Sequence, residues 1–212
     1  MKKLLTLICL VLFSGASAIA KQYVPASVTL SNGTELNGAI DLPNNLKANS
    51  IEFKAKSGEI TNYNSEDLAA FTLKLDKDYR FEYRSQMYNP KSGRTWKTQW
   101  YYVTINGPAS MYTEGDRLQY NENKGTLTIK EKTDGTFTYC LRMPGEETLY
   151  PLDQDYKNKA LVKMYCKMAA DRFKDSPQTL ALIEKMREEN KYSLAELVNN
   201  YNQWHKQQAS SK

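Results

Sequence analysis

The sequence predicts an α+β protein: antiparallel strands forming one or two curled sheets or a small barrel, followed by three helices packed back on them. Three observations predict it. From Val24 to Leu152, apolar and polar residues alternate in short runs, the period of a half-buried strand. Those runs are punctuated by turn residues such as Asn32-Gly33, Ser57-Gly58 and Asp134-Gly135, which connect antiparallel neighbours and leave no room for the helical crossovers of a parallel sheet. After Pro151 the apolar spacing becomes helical, with cap residues at the expected places.

The first element is a leader. Lys2 and Lys3 form a positive start, Leu4 to Phe13 an apolar run, and Ser14-Gly15-Ala16-Ser17-Ala18-Ile19-Ala20 a small-residue region, the three-part pattern of a secretory signal. Two cleavage frames compete, ending at Ala18 or Ala20. The apolar run is well short of the roughly 20 residues that span a bilayer. Cys9 follows the bulky Ile8 and so lacks the small neighbour that a lipoprotein cysteine requires. The chain is therefore expected to be periplasmic or secreted, with no transmembrane segment once residues 1–20 are removed. The expected organisation is a signal at 1–20, an antiparallel β-rich region at 21–152 with a possible subdivision near 89–95, a helical region at 153–206 and a frayed tail at 207–212.

Removing the leader takes two of the 29 basic residues and none of the 24 acidic ones, leaving a formal charge of +3. That is ordinary for a globular surface and gives no electrostatic footprint for nucleic acid. Charges of both signs interleave, as in Lys130-Glu131-Lys132, which reads as a solvated strand face.

Val28 and Leu30 alternate before Ser31-Asn32-Gly33-Thr34, and Leu36, Gly38, Ile40 and Leu42 alternate after it. Asn-Gly between such runs predicts a hairpin with a type I′ turn, in which both central residues take positive φ. Asn32-Gly33-Thr34 also spells a glycosylation sequon, which the turn explains better. Ile51, Phe53 and Ala55 form the next strand, and Ile60 to Tyr63 return from Ser57-Gly58. Ser65-Glu66-Asp67-Leu68 reads as a capped helical turn leading to Phe71, Leu73 and Leu75. Tyr79, Phe81 and Tyr83 alternate again, and Asn89-Pro90-Lys91-Ser92-Gly93 follows as an exposed loop or subdomain boundary. Further strands run through Trp96 to Ile105, Ala109 to Tyr112, Leu118 to Tyr120, Leu127 to Ile129 and Phe137 to Met143, joined as a meander.

Residues 155–173 then place Leu161, Tyr165 and Met168 on one helical face, with Val162, Cys166, Ala169 and Phe173 beside it. Ser176 is the expected N-cap of a second helix, with Pro177 at its first position. Ser193-Leu194-Ala195-Glu196 is a capping box opening a third, whose apolar stripe Leu194, Leu197, Val198, Tyr201 and Trp204 must dock on something.

Loss of Cys9 with the leader leaves Cys140, in a predicted strand, and Cys166, in a predicted helix. In an oxidising compartment an even count favours a bridge, contributing on the order of 3 kcal/mol by chain entropy. The alternative is two separate buried thiols.

Several segments together resemble a group of secreted envelope proteins of Bacteroidota. The resemblance rests on the opening hairpin Val28-Thr29-Leu30-Ser31-Asn32-Gly33-Thr34-Glu35-Leu36, on Ile51-Glu52-Phe53 leading to Glu66-Asp67-Leu68-Ala69-Ala70-Phe71, on Asn106-Gly107-Pro108-Ala109-Ser110-Met111-Tyr112, and on Phe173-Lys174-Asp175-Ser176-Pro177 through Tyr201-Asn202. It implies an exported or envelope protein of a Gram-negative bacterium and carries no activity over to any residue. Members of that group often have Asp-Cys-Pro where this chain has Asp175-Ser176-Pro177. Either Cys166 takes over the tether from one helix earlier, or the bridge is absent.

Chemical motifs are sparse. The single histidine, His205, sits near the end of a polar helix, where a nucleophilic dyad or triad has nothing to hold it. One histidine and two cysteines give no zinc ligand set, and no cofactor is expected. Asp76-x-Asp78, Glu114-x-Asp116 and Asp153-x-Asp155 bring carboxylates together without completing a calcium loop. Phosphate-binding glycine loops are missing.

What stands out is the aromatic load, 15 tyrosines and three tryptophans, concentrated in Trp96-Lys97-Thr98-Gln99-Trp100-Tyr101-Tyr102. Trp96, Trp100 and Tyr102 lie on one strand face, and Tyr101 with Val103 on the other. If one face is open, Trp96, Trp100, Tyr101 and Tyr102, with Lys97 or Gln99 beside them, are the candidate binding residues for a glycan, peptide or protein. The competing expectation is that both faces are covered, one by the sheet partner and one by the terminal helices. The functional expectation is accordingly an exported non-catalytic envelope module that binds through this strand. The alternatives are a carboxylate-dependent hydrolase of envelope or dietary glycans, and a structural protein that oligomerises through the Leu194 to Trp204 stripe.

Overall fold

Strands β1 (Tyr23–Leu30) and β2 (Glu35–Asp41) form the expected opening hairpin, but the turn is of another type. Only Gly33 has positive φ, at 86°; its amide donates to Leu30 O (2.9 Å) and the Leu30 amide to Thr34 O (2.8 Å). This is a type I turn closed by a glycine bulge, which needs one left-handed residue and not two. The same pattern recurs at Gly58 and Gly135, whose amides donate to Ala55 O (2.9 Å) and Lys132 O (2.8 Å).

The computed structural model describes residues 21–89, 94–154 and 160–210, with side chains described over 21–87, 97–153 and 161–210. The leader with Ala18 and Ala20, and the expected loop at 90–93, lie outside those residues. After β2 come β3 (Ser50–Ala55), β4 (Ile60–Asn64), a 3₁₀ turn (Ser65–Asp67), β5 (Leu68–Lys74), β6 (Asp78–Asn89), β7 (Arg94–Ile105), β8 (Ser110–Glu114), β9 (Leu118–Asn121), β10 (Thr126–Ile129), β11 (Thr138–Arg142) and β12 (Tyr150–Gln154). Ten of these strands make one sheet in the order β12-β11-β8-β7-β6-β5-β1-β2-β3-β4, all neighbours antiparallel, while β9 and β10 pair apart. The meander is broken twice: β5 returns to β1, and β11 returns to β8.

One short contact changes the shape of that sheet. Leu149 bridges Gln86 of β6: its amide donates to Ser85 O (2.8 Å) and its carbonyl accepts from Met87 N (2.9 Å). The succession β6-β7-β8-β11-β12 therefore closes on itself as a small barrel, the second of two lobes.

Strands β6 and β7 serve both lobes because side chains alternate across a strand. The pairs Phe81↔Tyr102 and Tyr83↔Trp100 face the first lobe. There they join Val24, Val28, Ile40, Phe71 and Leu73 in an apolar core, roofed by Leu46, Leu118 and Leu127. The intervening pairs Glu82↔Tyr101, Arg84↔Gln99 and Gln86↔Lys97 face the second lobe. Its interior is small and mixed, with Tyr101, Val103, Tyr112, Cys140 and Leu149 packed beside buried Glu82, Gln86, Gln99 and Glu114.

Helices α1 (Ala160–Arg172), α2 (Pro177–Glu188) and α3 (Leu194–Ser210) cover the outer wall of the second lobe. Met111, Leu141 and Leu152 of the sheet pack with Cys166, Ala169 and Phe173 of the first helical segment, Ile183 and Met186 of α2, and Leu194, Leu197, Val198 and Tyr201 of α3. The apolar stripe of α3 thus docks on its own chain, which removes the surface expected for oligomerisation. Ser176 caps α2 by accepting from Thr179 N (3.3 Å), and Ser193 Oγ accepts from Glu196 N (3.3 Å) at the head of α3, both as expected. Asn202 clamps α3 to the sheet, its amide donating to Ala109 O (2.9 Å) and accepting from Ala109 N (2.8 Å). The helix also runs to Ser210, past the start of the expected frayed tail, since Gln207, Gln208 and Ala209 are good helix formers. Among the described residues, no helix is long and apolar enough to cross a membrane.

Gly38 in β2 marks the tightest approach in the first lobe: a Cβ there would lie 2.3 Å from Lys54 O and 2.7 Å from the Phe53 ring. Gly38→Ala is expected to cost about 1–3 kcal/mol by forcing β2 and β3 apart. A fall in urea midpoint at unchanged slope would show it, and an unchanged midpoint would refute the close approach.

Candidate functional site

Among its described residues, the aromatic strand offers no open binding face. Trp100 is wholly buried in the first lobe, its Nε1–H donating to Ser65 Oγ (3.1 Å) and its ring 4.7 Å from Phe71 and 5.2 Å from Tyr83. Tyr101 is wholly buried in the second, donating to Gln86 Oε1 (2.8 Å). Tyr102 is half-buried against Phe81 (5.5 Å) and Tyr79 (6.0 Å). The Trp96 side chain lies outside the described residues. Over the described residues both faces are covered, as the competing expectation had it, but by different segments: the first-lobe roof and the closed barrel, not the terminal helices.

The two cysteines are free thiols, each buried in a different cluster. Cys140 pairs with Tyr112 and points into the second lobe, whereas its neighbour Leu141 points outward to the helices that carry Cys166. Strand alternation puts the wall of the barrel between them, so helix and sheet are joined by packing and not by a covalent tether. Burial raises the Cys140 thiol well above its usual pKa, the inert state of a core cysteine.

The other sequence candidates are scattered. His205 lies beside Tyr201 (6.1 Å) and Trp204 (6.4 Å) on α3. Asp78 pairs with Lys74 (2.7 Å), and Asp155 is outside the described residues. No group of three or more metal-ligating side chains occurs among the described residues. Among the described residues, Glu114-x-Asp116 is the pair that brings both of its carboxylates to one concave surface.

That surface is one mouth of the second lobe, a cavity of about 470 Å³ lined by Lys47, Lys97, Glu114, Asp116, Lys132 and Asp134. Glu114 ends β8 and Lys97 enters β7 on the same inward face; the Lys97 ammonium donates to Glu114 Oε1. Asp116 is fixed where the chain leaves β8, its amide donating to Lys130 O (3.0 Å), and Leu46 N donates to Asp116 O (3.1 Å), which brings Lys47 to the rim. Lys132 and Asp134 come from the β10–β11 connection. Lys132 Nζ donates to Thr138 Oγ1 (2.7 Å) and lies 3.8 Å from Asp134 Oδ2. The Thr136 hydroxyl and amide, donating to Asp134 at 2.7 and 3.0 Å, hold that carboxyl below its usual pKa.

The interior of the lobe contains a built-in comparison between two buried glutamates. Glu82, 4% exposed, has both oxygens engaged: Oε1 accepts from Arg80 Nε (3.0 Å), and Oε2 from Arg84 Nε (3.0 Å) and Nη2 (2.9 Å) and the Tyr112 hydroxyl (2.8 Å). Glu114, 3% exposed, has one oxygen on Lys97 and no partner for Oε2 among the described residues. Gln99, 1% exposed and on the same strand face as Lys97, has no partner for either amide atom among the described residues. Buried polar atoms without partners each cost about 1–3 kcal/mol, and three of the five such atoms among the described residues belong to Glu114 and Gln99 in this lobe.

Sequence reasoning named most of these residues for other reasons: Lys97 and Gln99 as neighbours of the aromatic rings, Glu114 and Asp116 as an acid pair, Lys132 as part of a solvated strand face and Asp134 as a turn residue. Lys47 was not singled out, since it reaches the mouth from a distant connection. No family model matches this chain, and no curated protein or solved structure does so either.

Proposed function

We propose that the protein is an exported module that binds a small polar ligand at the mouth of its closed second lobe. The single observation that carries this is Glu114, a buried carboxylate that lines an open cavity with one oxygen engaged and the other without a partner among the described residues. The leader's composition supports export. The described lining offers hydrogen bonding and charge, through three lysines and three carboxylates.

A site kept for function carries a stability cost that a structural pair would not. The double variant Lys97→Met/Glu114→Leu is therefore expected to be as stable as the wild type or up to about 3 kcal/mol more so, since apolar replacement of a buried ion pair is often neutral or favourable. The same variant loses ligand binding. Thermal shift of residues 21–212 against small glycans, peptides and amino acids measures both. A double variant that unfolds, with no compound shifting the wild type, would make the pair structural and end this reading. Release of p-nitrophenol from a glycoside, stopped by Glu114→Gln, would replace it with carboxylate-dependent hydrolysis.

A further inference from the structure

We infer that the ligand of this mouth is a zwitterion with an ammonium and a carboxylate a few atoms apart, the chemistry of free α-amino acids and short peptides; this rests on the binding reading above. The formal charges around the cavity cancel, with Lys47, Lys97 and Lys132 set against Glu114, Asp116 and Asp134. A ligand of one sign therefore meets repulsion from half the lining, and like charges brought together in a partly desolvated site are strongly disfavoured. A neutral sugar avoids the repulsion, but among the described residues the lining has no aromatic side chain for a pyranose face to stack on.

The depth of the groups gives the ligand a direction. Glu114 is almost fully buried and donates nothing as a carboxylate, so its Oε2, without a partner among the described residues, calls for an N–H donor at the inner end. The available donors sit further out. Lys47 is exposed, and its ammonium has no partner among the described residues. The Lys132 ammonium has three protons, of which Thr138 and Asp134 engage two at most. The ligand thus enters with its ammonium inward on Glu114 and its carboxylate outward on Lys47 and Lys132, each contact charge-assisted. A cavity of about 470 Å³ suits a molecule of one or two residues.

Isothermal titration of residues 21–212 at pH 7 with the free α-amino acids, dialanine, N-acetyl-dialanine, dialanine amide and maltose tests this. At least one free amino acid or dialanine should bind. N-acetylation, which removes the inner cation, should weaken dialanine more than 10-fold, and amidation of the outer carboxylate by a smaller factor. Glu114→Gln should reproduce the first loss. Lys47→Ala, at an exposed position, should reproduce the second and keeps the test decisive should Glu114→Gln fail to fold. Binding of maltose without dialanine or any amino acid overturns the zwitterion and leaves the binding module standing. Equal affinity for dialanine and its N-acetyl form also overturns it. Silence from every compound, in a folded protein, removes both.

Discussion

Trp100→Ala should destabilise the fold by about 3–5 kcal/mol, the largest effect expected of any single substitution considered for this protein. The indole is wholly buried and packs against Phe71 of β5 and Tyr83 of β6. Truncation removes those contacts, leaves a cavity beneath the Leu46 roof, and strips the Ser65 hydroxyl of its donor. That hydroxyl still donates to Ala48 O at 2.7 Å, so the loss falls mainly on packing. For a chain of this size the shift is about 2–4 °C in Tm per kcal/mol. Trp100→Phe, which keeps most of the volume and loses the hydrogen bond, should cost well under half as much. A Trp100→Ala protein with wild-type Tm would mean that the ring is available to solvent, and would reopen the aromatic strand as a ligand platform.

Second in size is Glu82→Gln, expected to cost about 2–4 kcal/mol, somewhat below the full price of breaking a buried ion pair because Arg80 and Arg84 are 39% and 26% exposed and can rehydrate. The substitution is nearly isosteric, so the loss reports charge and hydrogen bonding. Its pH signature is specific. Burial by itself would raise the Glu82 pKa, but the Tyr112 hydroxyl and the Arg84 and Arg80 guanidiniums outweigh it and leave the net shift downward. With the folded pKa below the unfolded one, the unfolded chain takes up the proton first as pH falls. The stabilisation is then complete above the unfolded carboxylate pKa, near 4.3–4.5, and drains away as pH falls through the folded value. Urea midpoints between pH 3 and 7 should decline more steeply with acid in the wild type than in Glu82→Gln. Parallel curves would mean that Glu82 is not the coupled acid. This carboxylate is also the control for Glu114: its oxygens are saturated, so its removal should harm stability and leave ligand binding untouched.

Much of the secondary structure was legible because it is written in neighbouring residues. Ser176 before Pro177, and Ser193 three residues before Glu196, fixed helix starts through bonds that span a single turn. Asn32-Gly33 located a hairpin correctly and mistyped its turn, since one left-handed glycine with a bulge joins the strands as well as two positive-φ residues do. The candidate site was legible only in fragments. Glu114 and Lys97 drew notice singly, but nothing in their surroundings revealed that a third segment, ending in Lys132, would complete a mouth with them.

By itself the sequence determined the period of each element, the antiparallel pairing implied by short turns, and the order of sheet before helices. These are local quantities, set by alternation, caps and connection length. Only the tertiary structure decided which faces are open. Alternation places Trp100 and Tyr101 on opposite sides of β7 but does not reveal that Leu46 roofs one side while Leu149, bridging to Gln86, closes the other. The same closure puts Cys140 inside the barrel wall and Cys166 outside it. Whether a strand face is core, surface or site depends on how the sheet curls, and curling is set by contacts between segments far apart in the chain.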